Sequence, residues 1–384
     1  MSDAANLAQK ALLPAGLRDL LPPDAEHEAG IVGRVMAEFA AHGYERVKPP
    51  LIEFEEALLS GPGAALAQQT FRIMDPVSQR MMGVRSDMTT QVARIAASRL
   101  GNAPRPLRLS YAGQVLRVKG SQLRPERQFG QVGAELIGAD VVEADAEIVL
   151  LAASALAAVG VAGITIDLTV PTLVPIICRD LGLSERAIAG VRAALDRRDP
   201  VELAASAGPA AQALTSMMAA SGPARTALEK LNALALPPAA AAERARLARA
   251  VELITAAAPD LIVTIDPVEL RGFEYQTGLS FTVFARGVSG ELGRGGRYLS
   301  GDAEAAEPST GFTLYTDTVL RALPGPELPR RVLLPHGTPP AEGAALRAQG
   351  WQTVSALAPV PDAAAEAKRL GCGHVFQDGR AVEV

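Results

Sequence analysis

Period-two alternation of apolar and polar residues is clearest in the middle of the chain. There the segments Leu107–Val118 and Arg127–Gly138 are each long enough to be strands. Between them, Lys119-Gly120-Ser121-Gln122-Leu123-Arg124-Pro125 is turn-rich and predicts a hairpin-type loop longer than the two-residue kind. Alternation places Gln131, Gly133 and Glu135 on one face of the second strand, with Arg127 and Phe129 in the same register and Arg117 projecting nearby. A cation, an amide and a carboxylate aimed at one place suit a zwitterionic ligand, the guanidinium for a carboxylate or phosphate and the acid for an ammonium or ring N–H. The same residues also fit a polar sheet face wetted by solvent, so pattern alone leaves two readings open.

Around this hairpin the pattern alternates between helix and strand periods. After the Pro-bounded segment 13–23, Asp24 is placed to cap a helix to about His42, with Ile31, Val32, Val35, Met36 and Phe39 on one face and Gly43 to end it. Tyr44–Phe54 is extended but interrupted by Pro49-Pro50, which assigns it to a sheet edge or an interface. Thr70–Asp75 and Arg80–Arg85 predict a strand pair, and Ser86-Asp87-Met88-Thr89 a helix start running to Arg99. Val141–Ala158 reads as an amphipathic helix ending at Gly160, and Ile164–Val170 as a strand. From about Leu183 to Pro259 the chain turns to short Ala-rich helical pieces, an all-helical insertion (183–259). Strands resume at Leu261–Asp266, Phe273–Ala285, Gly290–Gly293 and Gly311–Tyr315, and Thr316–Leu323 closes the core 1–323 as a short helix. Pro324-Gly325-Pro326 opens a linker (324–329), and 330–384 reads as a small C-terminal α/β appendage.

Composition narrows the class. The 384 residues allow two or three domains around a well-buried core, and 48% hydrophobic content is ordinary for a globular protein. No apolar run is long enough to span a bilayer, and the N-terminus lacks the charged-then-apolar layout of a secretory signal, so no membrane is expected. Cys178 and Cys372 have no metal-ligand spacing and read as buried small hydrophobes of a reducing, cytoplasmic chain. His27, His42, His336 and His374 show no metal spacing either, so neither metal nor cofactor is expected. A net charge of −5 argues against wholesale binding of nucleic acid.

Several of these stretches together resemble the histidyl branch of the class II aminoacyl-tRNA synthetases, over roughly residues 14–323. Gly43-Tyr44 through Pro50 resembles the first motif, which builds that family's dimer interface. Val84-Arg85-Ser86-Asp87-Met88-Thr89 resembles the LRPEGT signature, and Gly113–Gly133 the second motif. Arg271-Gly272-Phe273-Glu274-Tyr275 resembles RGLDYY, Gly295-Gly296-Arg297-Tyr298 resembles GGRY, and Gly311-Phe312 begins the third motif. Ordered motifs are far more specific together than any one alone. The resemblance implies an α+β fold, an antiparallel sheet flanked by helices, here with the helical insertion and the small appendage.

The departures from that family decide the expected activity. The third-motif Arg that clamps ATP is replaced by Thr318, and Arg321 lies one helical turn on, about 4.5 Å along the axis. The FRxE of the second motif becomes Leu116-Arg117-Val118-Lys119, a cation where an acid is expected. Gln276 follows Tyr275 where the family has a second Tyr at the imidazole, and the pattern after Tyr298 breaks into Leu299-Ser300-Gly301. Deleting one preorganised charge stabiliser commonly lowers rate about 100-fold or more, so aminoacylation is not expected and no residue is assigned as catalytic.

What survives resembles a free amino-acid site. The resemblance implies Asp87, Thr89 and Gln131 around an ammonium, Arg117 and Arg271 toward a carboxylate, Glu135 toward an imidazole N–H, and Tyr275 beside it, a histidine-binding set. This combination resembles the regulatory subunits of ATP phosphoribosyltransferase, synthetase-like proteins of histidine biosynthesis. It implies a short-form catalytic subunit as partner, a homodimer as the building block of a hetero-oligomer, and L-histidine as effector. A divergent active histidyl-tRNA synthetase is the alternative, and a stand-alone amino-acid-binding paralogue a third. Plainer roles also stay open: Asp87 as a helix cap, Arg271 as a strand-end ion-pair residue, and Glu135 paired with Arg117 or Arg127.

Overall fold

The computed structural model describes residues 11–59, 61–120, 124–270, 275–301 and 306–384. The chain divides into two units, Met1–Pro324 and Gly325–Val384. In the first unit the strands are β1 (Glu45–Arg46), β2 (Ile52–Phe54), β3 (Arg72–Met74), β4 (Met81–Val84), β5 (Leu107–Leu116) and β6 (Gln128–Ile137). They continue with β7 (Ile164–Thr169), β8 (Gly222–Pro223), β9 (Ile262–Ile265), β10 (Ser280–Ala285), β11 (Gly293–Ser300) and β12 (Glu307–Tyr315). Nine of them form one sheet in the order β1-β5-β6-β12-β11-β10-β7-β9-β8, and β2-β4-β3 form a small second sheet.

From β5 to β7 every pairing is antiparallel, while β1 joins β5 and β9 joins β7 in parallel. The expected antiparallel sheet is thus the centre of a mixed one, flanked by helices as expected. Pro49-Pro50 lie between β1 and β2, each of which is a sheet edge, as proline in a strand segment requires.

One face of the large sheet is apolar. Val132, Ala134, Leu136, Phe281, Val283, Phe312 and Leu314 pack in a single core with helices Asp24–Ala41 and Val142–Ala158. The ring of Phe39 meets that of Phe312 edge-on at 5.5 Å. The stripe Ile31, Val35, Met36 and Phe39 is therefore buried within the chain's own core. The Asp24 side chain does not cap this helix: Pro23 holds the cap position, and Asp24 is the first helical residue, its charge favourable at the positive end of the helix dipole.

The insertion contributes helices Glu185–Asp196, Pro200–Ser206, Ala211–Met218, Ala224–Asn232 and Pro238–Ala257. Ser184 and Asp199 cap the first two through their side chains. Its apolar residues Ile188, Val191, Leu203, Leu214, Leu231 and Leu247 belong to the main core, so the insertion is not a separate body. It is also not wholly helical, because β8 pairs with β9 through Gly222 and Pro223.

Two strand expectations change. The strand expected at Gly290–Gly293 lies further along, as β11, which shares only Gly293 with it and carries Gly295-Gly296-Arg297-Tyr298 in its middle. Of Phe273–Ala285 only Ser280–Ala285 is strand, and Phe273 and Glu274 lie outside the described residues.

The second unit is a sheet of β13 (Arg331–Leu334), β14 (Gln352–Ser355), β15 (His374–Gln377) and β16 (Arg380–Glu383) in the order β14-β13-β15-β16. Helices Pro340–Ala348 and Ala363–Arg369 accompany it, the latter capped by Asp362. Leu333 packs with Ala367, Cys372 and Val375, while Val332 and Leu334 pack with Leu346. Among the described residues no helix is long and apolar enough to cross a membrane.

Candidate functional site

The second face of the central strands is the polar one, and the register shows which residues share it. Directly opposite residues of an antiparallel pair lie on the same side. Tyr111 and Thr313 flank Gly133, Gly311 lies opposite Glu135, and Tyr315 opposite Gln131. Arg294 faces Thr313, and Gly296 faces Gly311, bringing β11 into the same surface. This face floors a cavity of about 1160 Å³ whose walls include Asp87, Thr89, Arg117, Glu135, Tyr275 and Gln276.

Glu135 is the deepest charge-bearing group, 1% exposed. Tyr298 donates to its Oε2 at 2.9 Å and Tyr111 to its Oε1 at 3.2 Å. Neither Arg117 nor Arg127 pairs with it; hydroxyls hold it instead. Burial pushes its carboxyl up to about 8, outweighing the hydroxyls of Thr89, Tyr298 and Tyr111, which stabilise the anion. Burial, then the nearby Glu135, likewise raises the phenols of Tyr111 and Tyr298, so both keep their protons and act as donors. The carboxylate fits beside β12 only because residue 311 is glycine: a side chain there would collide with Glu135 Oε2.

Asp87 stands at the start of helix Thr89–Ser98 and serves two partners. Its Oδ1 accepts from the Thr89 backbone N–H at 2.9 Å, and its Oδ2 from Gln131 Nε2 at 2.8 Å. The helix-start role and a ligand role are thus compatible, since each oxygen has a second lone pair. Gln131 also accepts from the Met88 N–H at 3.0 Å, which makes it the brace behind Asp87. Gln131 does not line the cavity. Arg117 donates to Ser86 O at 3.3 Å, and its guanidinium carbon lies 5.0 Å from the centre of the Phe129 ring. Tyr275 packs edge-on to Tyr298 at 6.1 Å, and its phenol is raised by burial and then by Asp87 and Glu135. Arg271, the second cation expected at the carboxylate, lies outside the described residues.

The cavity walls also carry five cations, Arg117, Lys119, Arg124, Arg294 and Arg321, with the acids Glu126 and Glu291 among them, the latter paired with Arg294. Arg124 lies 3.8 Å from the Tyr315 ring centre, donates to Thr318 Oγ1 at 3.0 Å, and pairs with Asp317 at 3.3 Å. Arg321 also donates to Thr318 Oγ1, at 3.4 Å. Thr318 itself is fully buried. Among the described residues no three His, Cys, Asp or Glu side chains are grouped to hold a metal ion.

The sequence profile of the histidyl-tRNA synthetase family matches residues 16–319. A chain of Rhodospirillum centenum described as an ATP phosphoribosyltransferase regulatory subunit is 70% identical over 384 residues, 100% of this chain and 99% of its own. One of Paramagnetospirillum magneticum with the same description is 60% identical over the whole of both chains. The chain belongs to the ATP phosphoribosyltransferase regulatory subunits. A solved structure from Bacillus halodurans, described as an ATP phosphoribosyltransferase regulatory subunit/histidyl-tRNA synthetase, superposes with a TM-score of 0.80 at 26% identity, covering 94% of this chain and 96% of that one. Histidyl-tRNA synthetase from Nostoc sp. gives a TM-score of 0.80 at 18% identity, covering 97% of this chain and 96% of that one, which shows the shared class II fold.

For this regulatory subunit, sequence reasoning missed Tyr111, the Tyr298 hydroxyl as a partner of Glu135, and Arg124 at Thr318. Tyr111 is within reach of the pattern: a hairpin register that sets it opposite Gly133 leaves room for its ring over a residue without a side chain. Arg124 carried no periodic signal, because it sits in the loop after β5.

Proposed function

We propose that the chain is a noncatalytic subunit that binds free L-histidine in this cavity and controls a short-form ATP phosphoribosyltransferase catalytic subunit, activating it and relaying feedback inhibition. The carrying observation is that Asp87, Arg117 and Glu135 line one cavity, an arrangement that matches an ammonium, a carboxylate and an imidazole. Asp87 and Thr89, braced by Gln131, take the ammonium, Arg117 and Arg271 the carboxylate, and Glu135 and Tyr275 the ring. Thr318 in place of a clamp Arg, and Lys119 in place of an acid, support the absence of histidine activation. The protein acts in the cytoplasm as a homodimer within a hetero-oligomer. Because Val35 and Phe39 are core residues, that dimer draws on the outward side of helix Asp24–Ala41 and on the segment around Pro49-Pro50.

The test pairs calorimetry of histidine with inhibition of the reconstituted complex. Asp87→Asn and Arg117→Met are each expected to weaken histidine by about 1.5–3 kcal/mol, as for a hydrogen bond to a charged group, while still assembling with the partner. Equal midpoints of inhibition in wild type and both variants would remove this cavity as the sensor. The second reading, an active histidyl-tRNA synthetase, is favoured by one observation: two guanidiniums, of Arg124 and Arg321, converge on Thr318. Histidine-stimulated ATP–pyrophosphate exchange at synthetase-like turnover would establish it.

A further inference from the structure

Behind the cavity, on the helix side of the sheet, lies a buried ion cluster with Arg297 5% exposed and Asp145 2%. Arg297 stands in β11 in register with Thr310 and Leu136, so its side chain enters the helix side. Tyr298, the next residue, enters the cavity. Each nitrogen of the Arg297 guanidinium has a partner. Nε donates to Asp145 Oδ1, Nη1 to Ala139 O and Nη2 to Val141 O, each at 3.0 Å. Ala139 and Val141 belong to the connection between β6 and helix Val142–Ala158. One side chain therefore ties the strand of Tyr298 to the end of the strand of Glu135, the two residues that meet in the cavity at 2.9 Å.

The insertion completes the cluster. Arg246, on helix Pro238–Ala257, donates from Nε to Asp145 Oδ2 at 3.1 Å and from Nη1 to Asp140 Oδ1 at 3.0 Å. Burial pushes the Asp145 carboxyl up, and Arg297 and then Arg246 hold it down, so a buried acid depends on both guanidiniums. The insertion's end of the cluster is also its unfinished end. Arg246 Nη2 and, one turn earlier on the same helix, Glu243 Oε2 are buried with no hydrogen-bond partner among the described residues. Buried polar atoms left unmade cost stability, so stability alone does not account for this arm of the cluster.

Resting on the histidine reading above, we propose that Arg246 is a positioning residue for the ligand site. Through Asp145 and Arg297 it fixes β11 against the end of β6, and so holds the Tyr298 hydroxyl on Glu135. The Arg297 backbone carries the same hold to a second wall: its carbonyl accepts from the Thr277 N–H at 2.8 Å, two residues beyond Tyr275. The insertion thus helps to build a cavity that no described residue of 183–259 lines.

The experiment is a double-mutant cycle on the full chain with Arg246→Met and Tyr298→Phe, read by histidine calorimetry and by denaturant titration. Arg246→Met is expected to weaken histidine by about threefold or more, and by clearly less once residue 298 has lost its hydroxyl. In denaturant, Tyr298→Phe is expected to cost less in the Met chain than in wild type, a coupling that needs no ligand. Arg246→Lys keeps a charge at Asp145 without the guanidinium fork. It is expected to fall between wild type and the Met chain, and replaces the latter in the cycle should that chain fail to fold. Costs that simply add in both readouts, or histidine affinity unchanged by either Arg246 variant, overturn this inference and leave the histidine site standing. Coupling in denaturant without any histidine binding by wild type upholds the link from Arg246 to Tyr298 and overturns the histidine reading instead.

Discussion

On the helix side of β6, Val132, Ala134 and Leu136 meet the aromatic and aliphatic residues of two helices; on the cavity side, the alternate positions are Gln131, Gly133 and Glu135. Both sides are buried, yet they are held by opposite means. The helix side is close-packed apolar volume, in which dispersion and water exclusion act without direction. The cavity side is a set of hydroxyls and amides spaced by glycines, in which each polar group depends on the next. The first kind of face stabilises the chain; the second is a standing expense that a ligand would offset. This division explains how one set of strands serves as both scaffold and site, with the two roles separated by a single step in sequence.

The largest expected effect breaks the helix side. Phe39→Ala removes a fully buried ring packed on Phe312 and should lower unfolding free energy by about 3–5 kcal/mol in denaturant titration. A loss of dimer without a loss of stability would instead mean that Phe39 lies at a subunit contact. The next effects sharpen the cavity side. Asp87→Asn should leave stability nearly unchanged while reducing histidine affinity, the reverse of the Phe39 result, as read by melting and calorimetry on the same preparations. Tyr298→Phe removes one donor to Glu135 and should destabilise by about 0.5–1.5 kcal/mol, with the Glu135 carboxyl titrating higher still.

The mildest test is a pH profile. The folded Glu135 carboxyl is raised from 4.5 to about 8, so the folded chain binds more protons than the unfolded chain between those values. Its contribution to stability is therefore fully present below about 4.5 and is lost as pH rises toward 8. Glu135→Gln should flatten that decline in thermal melts recorded across the range. The same variant mimics the protonated acid, so its effect on histidine binding should be small at pH 7 and larger above pH 8.

Sequence reading was strongest where periodicity and burial coincide. The β5–β6 hairpin, the Asp24–Ala41 stripe and the convergence of Asp87, Thr89, Arg117 and Glu135 on one cavity all follow from alternation and from ordered motifs. It was weakest where a residue's role depends on partners far along the chain. Glycine lowers strand propensity, so Gly295-Gly296 carries no strand signal of its own, yet tight packing of β11 against β10 and β12 requires small residues there. Gln131 was grouped with the ligand contacts because it shares their face; only the distances show it bracing Asp87 from behind. The two-residue β8 has no local pattern at all and exists because β9 offers it an edge.

The pairing of Glu135 with Gly311 has a bearing on the life of the chain as it is made. β5 and β6 form a hairpin of near neighbours, whereas β12, which walls in Glu135, arrives only after the insertion and β7 to β11 have been synthesised. Until β12 docks, the carboxyl is neither buried nor caged, and no pocket exists for a small molecule to enter. A ligand of this cavity therefore recognises only finished molecules. Because anything that binds the native state alone draws the population toward it, a cell rich in that ligand would hold more of this chain in its completed form and leave less of it partly folded.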